Sequence, residues 1–374
     1  MERLKDLLMF EMFEKINNLI CNHSQLAERE KETLFEELAL GLFNYQFEKN
    51  LIYRSLCEAQ GKNPNNINNW TQIPLLSTNC FKEYKLFCQP ENLITKTFVS
   101  SGTTQSQKSQ HYLSQAELTL YENSLIENFF EAFKLNEKSI IKYFVLTESP
   151  VEKPNSSLIY MFETIRKKLK LNSNIYFIQN DQLQISALNE ALNNACLNQI
   201  PILLAGTAFS FVNLLDSNIS NFKFPANSAL METGGFKGKS REISKPELYK
   251  ALSAKFNLPN YALVGQYGMS ELNTQYYDSS FILKNEHEKN RYKKAPPWAK
   301  NLILNINNLK QEVQIGETGL IAHYDLANLD SLAFVLTGDL AIKKEDNYFE
   351  LIGRASNLAL KGCSLNYENF DNKY

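Results

Sequence analysis

TFVSSGTTQSQKSQHYLS, residues 97–114, is a polar segment set between apolar ones. No apolar side chain occurs from Ser100 to Gln110. Residues 95–99 carry the aromatic and β-branched side chains of a strand that leads into the segment, and residues 111–113 lead out of it. The pattern predicts a polar loop in a chain that is otherwise rich in apolar residues, with 24 Phe and 18 Tyr.

Two interpretations of this loop are open. Ser, Thr and Gly are common turn formers, so the loop fits a simple surface hairpin. It also fits a phosphate cradle, in which backbone N–H groups and hydroxyls donate to phosphate oxygens. Gly102 then lets the backbone approach an anion, and Lys108 adds a positive charge. The loop is not a Walker motif, because no Gly-Lys-Ser/Thr follows it.

The rest of the chain predicts alternating strands and helices. Two capping boxes mark helix starts, Ser114 with Glu117 and Ser244 with Glu247. The first sixty residues have apolar side chains at helical spacing. Apolar runs of strand length occur at residues 140–146, 174–178, 200–205 and 261–265. Alternation of this kind predicts an α/β fold with a largely parallel sheet.

Composition limits the class of protein. The chain has 374 residues, 44% of them apolar and 21% charged, as is usual for a globular protein with a core. A net charge of −2 gives no reason to expect nucleic acid or an anionic membrane as partner. The N-terminus lacks the apolar core of a signal peptide, and no run is long enough to span a membrane, so a cytoplasmic protein is expected. The six cysteines and four histidines show no zinc or disulfide spacing.

A second segment, GQYGMSELN at residues 265–273, follows a predicted strand. Taken alone it is a turn with a solvated carboxylate. Beside a phosphate loop, Glu271 becomes a candidate Mg²⁺ ligand, since Mg²⁺ on nucleotide phosphates takes few carboxylates. Tyr267 is then placed to stack on a base.

Three further segments are individually weak signals. ETGGFKGKSRE, residues 232–242, has paired glycines, Gly234 and Gly235, that allow a flat ligand to lie against backbone, although a tight turn explains them equally. VLTGDLA places Asp339 at a strand end, where it can accept hydrogen bonds from ribose hydroxyls. Gly-Arg at residues 353–354 and Lys-Gly-Cys at residues 361–363 come last.

In this order, the five segments resemble the adenylate-forming superfamily from about residue 70 to residue 363. The segments WTQIPLLSTNCFKEYKLF and TGGFKGKSREIS are similar to those of acyl-protein synthetases, the fatty-acid-activating subunits of bacterial fatty acid reductase systems. The resemblance implies an α/β adenylate-forming large domain with a helical N-terminal region and a truncated C-terminal mobile domain. The expected divisions are residues 1–69, a helical region, residues 70–350, the adenylate-forming domain, and residues 351–374, a short tail.

The same resemblance implies roles for individual residues, with ATP and Mg²⁺ as cofactors. Glu271 is the expected Mg²⁺ ligand, Asp339 the ribose ligand, and Cys363 the acyl acceptor. The expected phosphate-binding residues are Ser100, Ser101, Gly102, Thr103, Thr104 and Lys108. The other expected nucleotide-site residues are Gly234 and Gly235 beside adenine, Tyr267, Gly268 and Arg354.

The chain also departs from full-length relatives. Asn357 stands where an Asp hinge is expected, Leu360 stands near the usual place of a Lys, and only twenty residues follow Arg354. The missing mobile domain and its lysine place a CoA-ligase cycle in doubt, and agree with transfer to a cysteine near the C-terminus.

The expected activity is ATP-dependent activation of a carboxylic acid, expected to be a fatty acid. The acyl group then passes to Cys363 as a thioester, for delivery to a reductase or carrier protein. Two alternatives stay open: a phenylacetate-type ligase that transfers the acyl group to CoA or a carrier protein, and a non-catalytic nucleotide-binding relative.

Overall fold

The structure of the protein is a computed structural model, which describes residues 2–100, 108–234, 243–285 and 291–355, with the side chains of residues 2–8 left out. Several predicted site residues lie outside the described residues: Ser101, Gly102, Thr103, Thr104, Gly235 and Cys363.

Helices cover the N-terminal region and then alternate with strands. Their bounds are α1 (Glu2–Asn22), α2 (Glu28–Lys49), α3 (Leu51–Ala59), α4 (Cys80–Glu83), α5 (Gln115–Phe133), α6 (Ser157–Lys168), α7 (Ile185–Leu197), α8 (Ala208–Leu215), α9 (Lys245–Phe256) and α10 (Ser280–Leu283). Within the described ranges, none of them combines the length and apolar character needed to cross a membrane.

The first sheet has five strands in the order β10-β9-β8-β7-β4. These are β4 (Lys142–Leu146), β7 (Ile202–Thr207), β8 (Ala229–Thr233), β9 (Leu263–Tyr267) and β10 (Tyr276–Tyr277). The first four are parallel and β10 is antiparallel to β9. Nearly all of their side chains are buried. The prediction of a largely parallel, helix-covered sheet is confirmed for this part of the chain.

One predicted strand is shorter than expected. Residues 174–178 pair with β4 only through an isolated bridge between Tyr176 and Val145. The chain then turns into a two-stranded ribbon of β5 (Ile178–Gln179) and β6 (Gln182–Leu183). Asn180 and Asp181 both have positive φ in the turn between them, which ends the pairing with β4.

A second, seven-stranded sheet follows, which the sequence pattern does not predict. Its strands are β1 (Leu76–Ser77), β11 (Lys293–Lys294), β12 (Ala299–Asn305), β13 (Asn308–Glu312), β14 (Thr318–Asp325), β15 (Phe334–Lys343) and β16 (Tyr348–Arg354). All pairings are antiparallel except that of β1 with β15. Residue 351, the predicted start of the tail, lies inside β16, which stays paired with β15 as far as Arg354.

The N-terminal helices share a core with this second sheet. Phe43 of α2 and Tyr53 of α3 pack on Phe334 of β15, with ring centroids 6.4 and 6.3 Å apart. Hydrogen bonds also join α2 to the loop between β14 and β15. Gln46 Nε2 donates to the Asn328 carbonyl at 2.8 Å, and the Tyr45 hydroxyl donates to the Asp330 carboxylate. The helices therefore support the loop between β14 and β15, which lies next to the site described below.

A short hairpin and its following helix complete the frame. β2 (Lys96–Val99) pairs antiparallel with β3 (Gln110–Leu113), as the flanks of the polar loop predict. The Ser114 Oγ accepts a hydrogen bond from the backbone N–H of Glu117 at 3.1 Å and so caps α5. The capping box predicted at Ser244 and Glu247 is fully formed at the start of α9.

Candidate active site

The carboxyl ends of β8 and β9 place Gly234 and Tyr267 at the same edge of the parallel sheet. Thr233 pairs with Gln266 across these strands, so the next residue of each strand lies beside the other. Gly234 is exposed with φ +73°, a left-handed conformation that favours glycine. Gly268 is also exposed, and an added Cβ there would lie 2.8 Å from the Gln266 amide nitrogen. Ligands of open α/β sheets bind at this edge.

The antiparallel sheet brings Asp339 and Arg354 to the same place. The Tyr267 hydroxyl donates to Asp339 Oδ2 at 2.9 Å. Asp339 lies opposite Arg354 in the register of β15 and β16, and Arg354 Nε lies 3.2 Å from Asp339 Oδ1. Arg354 is 70% exposed, whereas the Asp339 side chain is 16% exposed. Three residues that the sequence predicted separately therefore form one chain of contacts.

The polar loop joins the two strands of the hairpin. The Ser100 N–H donates to the Ser109 carbonyl at 3.0 Å, and the Ser109 N–H donates to Ser100 Oγ at 3.0 Å. Lys108 is exposed. This hairpin fits both a simple surface turn and a phosphate cradle. Residues 101–107, which would distinguish the two, lie outside the described residues.

Glu271 is tied to this hairpin through its neighbour in sequence. His111 of β3 donates from Nδ1 to the Ser270 carbonyl at 2.7 Å. Asn328 Nδ2 donates to the Glu271 carbonyl at 2.8 Å. Glu271 is only 6% exposed, and its carboxylate makes no hydrogen bond to another described residue. A nearly buried carboxylate that accepts no hydrogen bond from a described residue fits a ligand for a single Mg²⁺, which takes one or two carboxylates and the substrate phosphates.

Glu117 is the centre of a buried polar network that the sequence did not reveal. Its carboxylate accepts from the N–H groups of Asp330 and Ser331 at 2.7 and 2.8 Å, from the Ser331 hydroxyl at 2.5 Å, and from Asn273 Nδ2 at 2.9 Å. His111 Nε2 lies 3.2 Å away. The predicted capping box at Ser114 is thus only half formed, because Glu117 turns inward and its carboxylate is engaged in this network.

Two aspartates extend this network. Asp325 accepts from the Thr274 N–H and hydroxyl, both at 2.8 Å, and burial raises its pKa to about 6. Burial, with the nearby Glu117 charge, also raises the pKa of Asp330. These groups fix the segment that contains Glu271 against the loop between β14 and β15. The network is invisible in the sequence because its members lie up to 220 residues apart.

His323 of β14 is a further residue that sequence reasoning missed. It is fully buried beside Tyr267, Tyr276 and Asn301, and burial lowers its pKa to about 3. Its Nε2 lies 3.3 Å from the Tyr267 hydroxyl. The sequence gives no signal for these contacts, because a single histidine in a predicted strand has no motif around it.

Five cysteines lie within the described ranges. Burial raises the pKa of the Cys57 and Cys80 thiols to about 12 and raises the pKa of Cys88 as well. The pKa values of Cys21 and Cys196 are also raised by burial. Since the thiolate is the nucleophile, a raised pKa disfavours each of these five thiols as an acyl acceptor at neutral pH.

The family of the chain follows from comparison with known proteins. A family model described as acyl-protein synthetase, LuxE, matches residues 11–370. The chain belongs to the acyl-protein synthetase family. Long-chain-fatty-acid–luciferin-component ligases of Aliivibrio fischeri and Vibrio harveyi are 24% and 21% identical to it, over 91% of this chain and 89% of each relative. As a member of this family, the protein is an acid–thiol ligase.

Solved structures identify the fold. An open conformation of 2-hydroxyisobutyryl-CoA ligase, in complex with 2-HIB-AMP and CoA, matches with a TM-score of 0.64 at 14% identity, over 86% of this chain and 75% of that one. A long-chain-fatty-acid–CoA ligase from Archaeoglobus fulgidus matches with a TM-score of 0.50 at 13% identity, over 75% of this chain and 55% of that one. At such identities the likeness shows the fold alone, and it confirms the predicted adenylate-forming fold.

Proposed function

We propose that the protein uses ATP to convert a fatty acid into an acyl-adenylate and then transfers the acyl group to its own Cys363. The observation that carries this proposal is the meeting of Gly234, Tyr267 and Asp339 at one sheet edge, with the polar hairpin tied to Glu271. Exposed backbone and a carboxylate at that edge suit adenine and ribose. The Tyr267 ring is buried, and its part in the proposal is to hold Asp339 through the hydroxyl. The hairpin suits the phosphates.

Each nucleotide group has an assigned partner in this proposal. Adenine lies against the backbone at Gly234 and Gly235, which have no side chain to block it. The ribose hydroxyls donate to Asp339. The phosphates accept from Ser100, Lys108 and the residues between them. Donors and charges held in place in this way neutralise phosphate charge as the reaction proceeds.

Glu271 would hold Mg²⁺ on the phosphates. Its carboxylate is nearly buried and makes no hydrogen bond within the described part of the chain, so it remains available for a cation. Bound Mg²⁺ would neutralise phosphate charge and help pyrophosphate to leave. His111 and Asn328 hold the backbone that presents this carboxylate.

Two displacements complete the reaction. A carboxylate oxygen of the acid attacks the α-phosphorus, and the bond to pyrophosphate breaks. The Cys363 thiolate then attacks the acyl carbonyl, and AMP leaves with the electron pair of the bond to the acyl group. The raised pKa values of the other five cysteines favour Cys363 as the acceptor. A reductase or carrier protein is the proposed final acceptor.

A labelling experiment tests the assignment. Wild type, Cys363→Ala and Cys196→Ala are incubated with ATP, Mg²⁺ and each of a panel of radiolabelled carboxylic acids that includes long-chain acids, with and without CoA. All three are expected to release pyrophosphate. Wild type and Cys196→Ala should retain a hydroxylamine-labile acyl group through denaturation, and Cys363→Ala should not.

Three results would contradict parts of the proposal. Wild-type labelling of Cys363→Ala would show that another residue accepts the acyl group. CoA-dependent thioester formation by Cys363→Ala at the wild-type rate would support the phenylacetate-type alternative. Failure of every variant to release pyrophosphate with any acid would leave a nucleotide-binding protein without catalysis.

A further inference from the structure

His323 occupies a polar site between the two sheets. Its Nδ1 lies 2.6 Å from Asn301 Nδ2 and 2.9 Å from the Tyr276 hydroxyl, and its Nε2 lies 3.3 Å from the Tyr267 hydroxyl. The rings of His323 and Tyr267 are stacked with centroids 5.9 Å apart. The histidine is wholly buried, so these contacts are protected from water.

The structure turns the Asn301 amide nitrogen, which can only donate, towards His323 Nδ1, and Asn301 Oδ1 is buried without a hydrogen-bond partner among the described residues. In this orientation of the amide, His323 Nδ1 accepts. The neutral ring then has its hydrogen on Nε2, which donates to the Tyr267 oxygen. The hydrogen of the Tyr267 hydroxyl is therefore left for Asp339 Oδ2, 2.9 Å away.

The reverse orientation of the Asn301 amide interrupts this series of hydrogen bonds. If the Asn301 amide oxygen faced the ring, the hydrogen would sit on Nδ1 and Nε2 would accept from Tyr267. A phenol has one hydrogen to donate, so Tyr267 would then leave Asp339 Oδ2 without its donor. Burial keeps the pKa of His323 near 3, so the ring has only one hydrogen at neutral pH.

We propose that His323 is a positioning residue for the nucleotide, acting through Tyr267 on Asp339. Tyr267 fixes Oδ2 of that carboxylate, while the contact of Oδ1 with the mostly exposed Arg354 is open to solvent. Tyr267 thereby holds one carboxylate oxygen in place, and the remaining lone pairs of the carboxylate would accept from the ribose hydroxyls. This inference rests on the proposed function, because it needs Asp339 to bind ribose.

Two substitutions separate the two ring nitrogens. His323→Gln places an amide near the position of Nε2 and can still donate to Tyr267. His323→Asn places its amide near the position of Nδ1, so it can satisfy Tyr276 and Asn301 but does not reach Tyr267. The dissociation constants of AMP and of 2′,3′-dideoxy-AMP are measured by calorimetry for wild type and for both variants.

A selective loss is expected. His323→Asn removes the neutral hydrogen bond that holds the Tyr267 oxygen but not the bond from Tyr267 to Asp339. It should therefore bind AMP about fivefold more weakly, as for one neutral hydrogen bond of about 1 kcal/mol, and 2′,3′-dideoxy-AMP within about twofold of wild type. His323→Gln should bind both ligands within about twofold of wild type. A merely structural role would weaken both ligands equally, and that result would overturn the inference, as would wild-type AMP binding by His323→Asn.

A further variant keeps the test decisive if His323→Asn does not fold. Tyr267→Phe removes the intermediate hydroxyl and should show the same selective loss of AMP binding. If it binds AMP as wild type does, the inference fails. The proposed function fails separately, when wild type itself binds neither AMP nor ATP. The inference alone fails when wild type prefers AMP to its dideoxy analogue and both His323→Asn and Tyr267→Phe keep that preference.

Discussion

Glu117→Gln tests whether the buried network holds the site together. One of the two carboxylate oxygens becomes an NH₂ group. If it replaces Oε2, it faces the N–H groups of Asp330 and Ser331, and two buried donors lose their acceptor. Each such loss costs about 1–3 kcal/mol. If the NH₂ group replaces Oε1, it faces Asn273 Nδ2, which is also a donor. In both cases the negative charge that strengthened the hydrogen bonds to the Glu117 carboxylate is lost.

Two such losses give an expected loss of unfolding free energy of about 2–6 kcal/mol. For 374 residues unfolding as one unit, about 2 cal/mol/K of unfolding entropy per residue converts 4 kcal/mol into a fall of about 5 °C in Tm. Equilibrium denaturation in urea and thermal scans measure both quantities.

Glu127→Gln is the matched control for this prediction. It makes the same chemical change on the same helix, at a half-buried residue that has no hydrogen bond to another described residue. It should change stability by less than about 1 kcal/mol, as most surface substitutions do. Equal effects of the two substitutions, or a loss below about 1 kcal/mol for Glu117→Gln, would refute the reasoning.

Two other predictions concern pH and the metal. Because the folded pKa of His323 is lowered to about 3 from 6.5, its contribution to stability is present above pH 6.5 and is lost as pH falls, by about 1.4 kcal/mol per pH unit. Asp325, with its pKa raised to about 6, has the opposite effect, because its contribution to stability increases as pH falls from about 6 to 4. The test therefore compares wild type with His323→Gln, whose stability should fall less steeply on acidification. Parallel pH profiles of the two proteins would show that His323 does not titrate in this way. Glu271→Gln should slow pyrophosphate release at least about tenfold, because the proposed Mg²⁺ ligand is lost. Its Tm should stay within about 1 °C of wild type, since the Glu271 carboxylate makes no hydrogen bond to a described residue. An unchanged rate at limiting Mg²⁺ would show that Glu271 does not belong to the metal site.

Local sequence patterns predicted the parts of the fold that local physics controls. Ser244 and Glu247 form their capping box because both partners lie within one helical turn. The apolar run at residues 200–205 becomes a strand because a buried parallel strand needs apolar side chains on both faces. Glycine and polar residues at predicted strand ends marked Gly234, Tyr267 and Asp339. Gly234 and Tyr267 do lie at the ends of β8 and β9, but the prediction of a strand end at Asp339 is wrong, because this residue lies inside β15, which continues to Lys343. The contact with Tyr267 still brings Asp339 to the same edge of the parallel sheet.

The parts that were missed depend on contacts between distant residues. Glu117 satisfies a local capping pattern, yet its carboxylate binds groups more than 200 residues away, and no local rule ranks these two outcomes. β13 has a mostly exposed, polar sequence, NLKQE, so its pairing with β12 is not visible as apolar alternation. His323 has meaning only when Tyr267 and Asn301 surround it.

The site lies where the two sheets meet, and the nature of the contacts there matters for catalysis. Apolar residues from both sheets, including Tyr276, Ile321 and Phe349, form a small shared core. Apolar packing favours contact but tolerates small shifts, whereas a satisfied buried polar network is directional and specifies one arrangement. The bond from Tyr267 to Asp339 and the bond from His111 to Ser270 are of this second kind. A shift of about 1 Å between the acid and the phosphate is enough to slow such a reaction strongly. The directional bonds between distant segments therefore fix Asp339 and the backbone of residues 270–271 relative to one another, as the proposed nucleotide and metal sites require, and the apolar core between the sheets stabilises that arrangement.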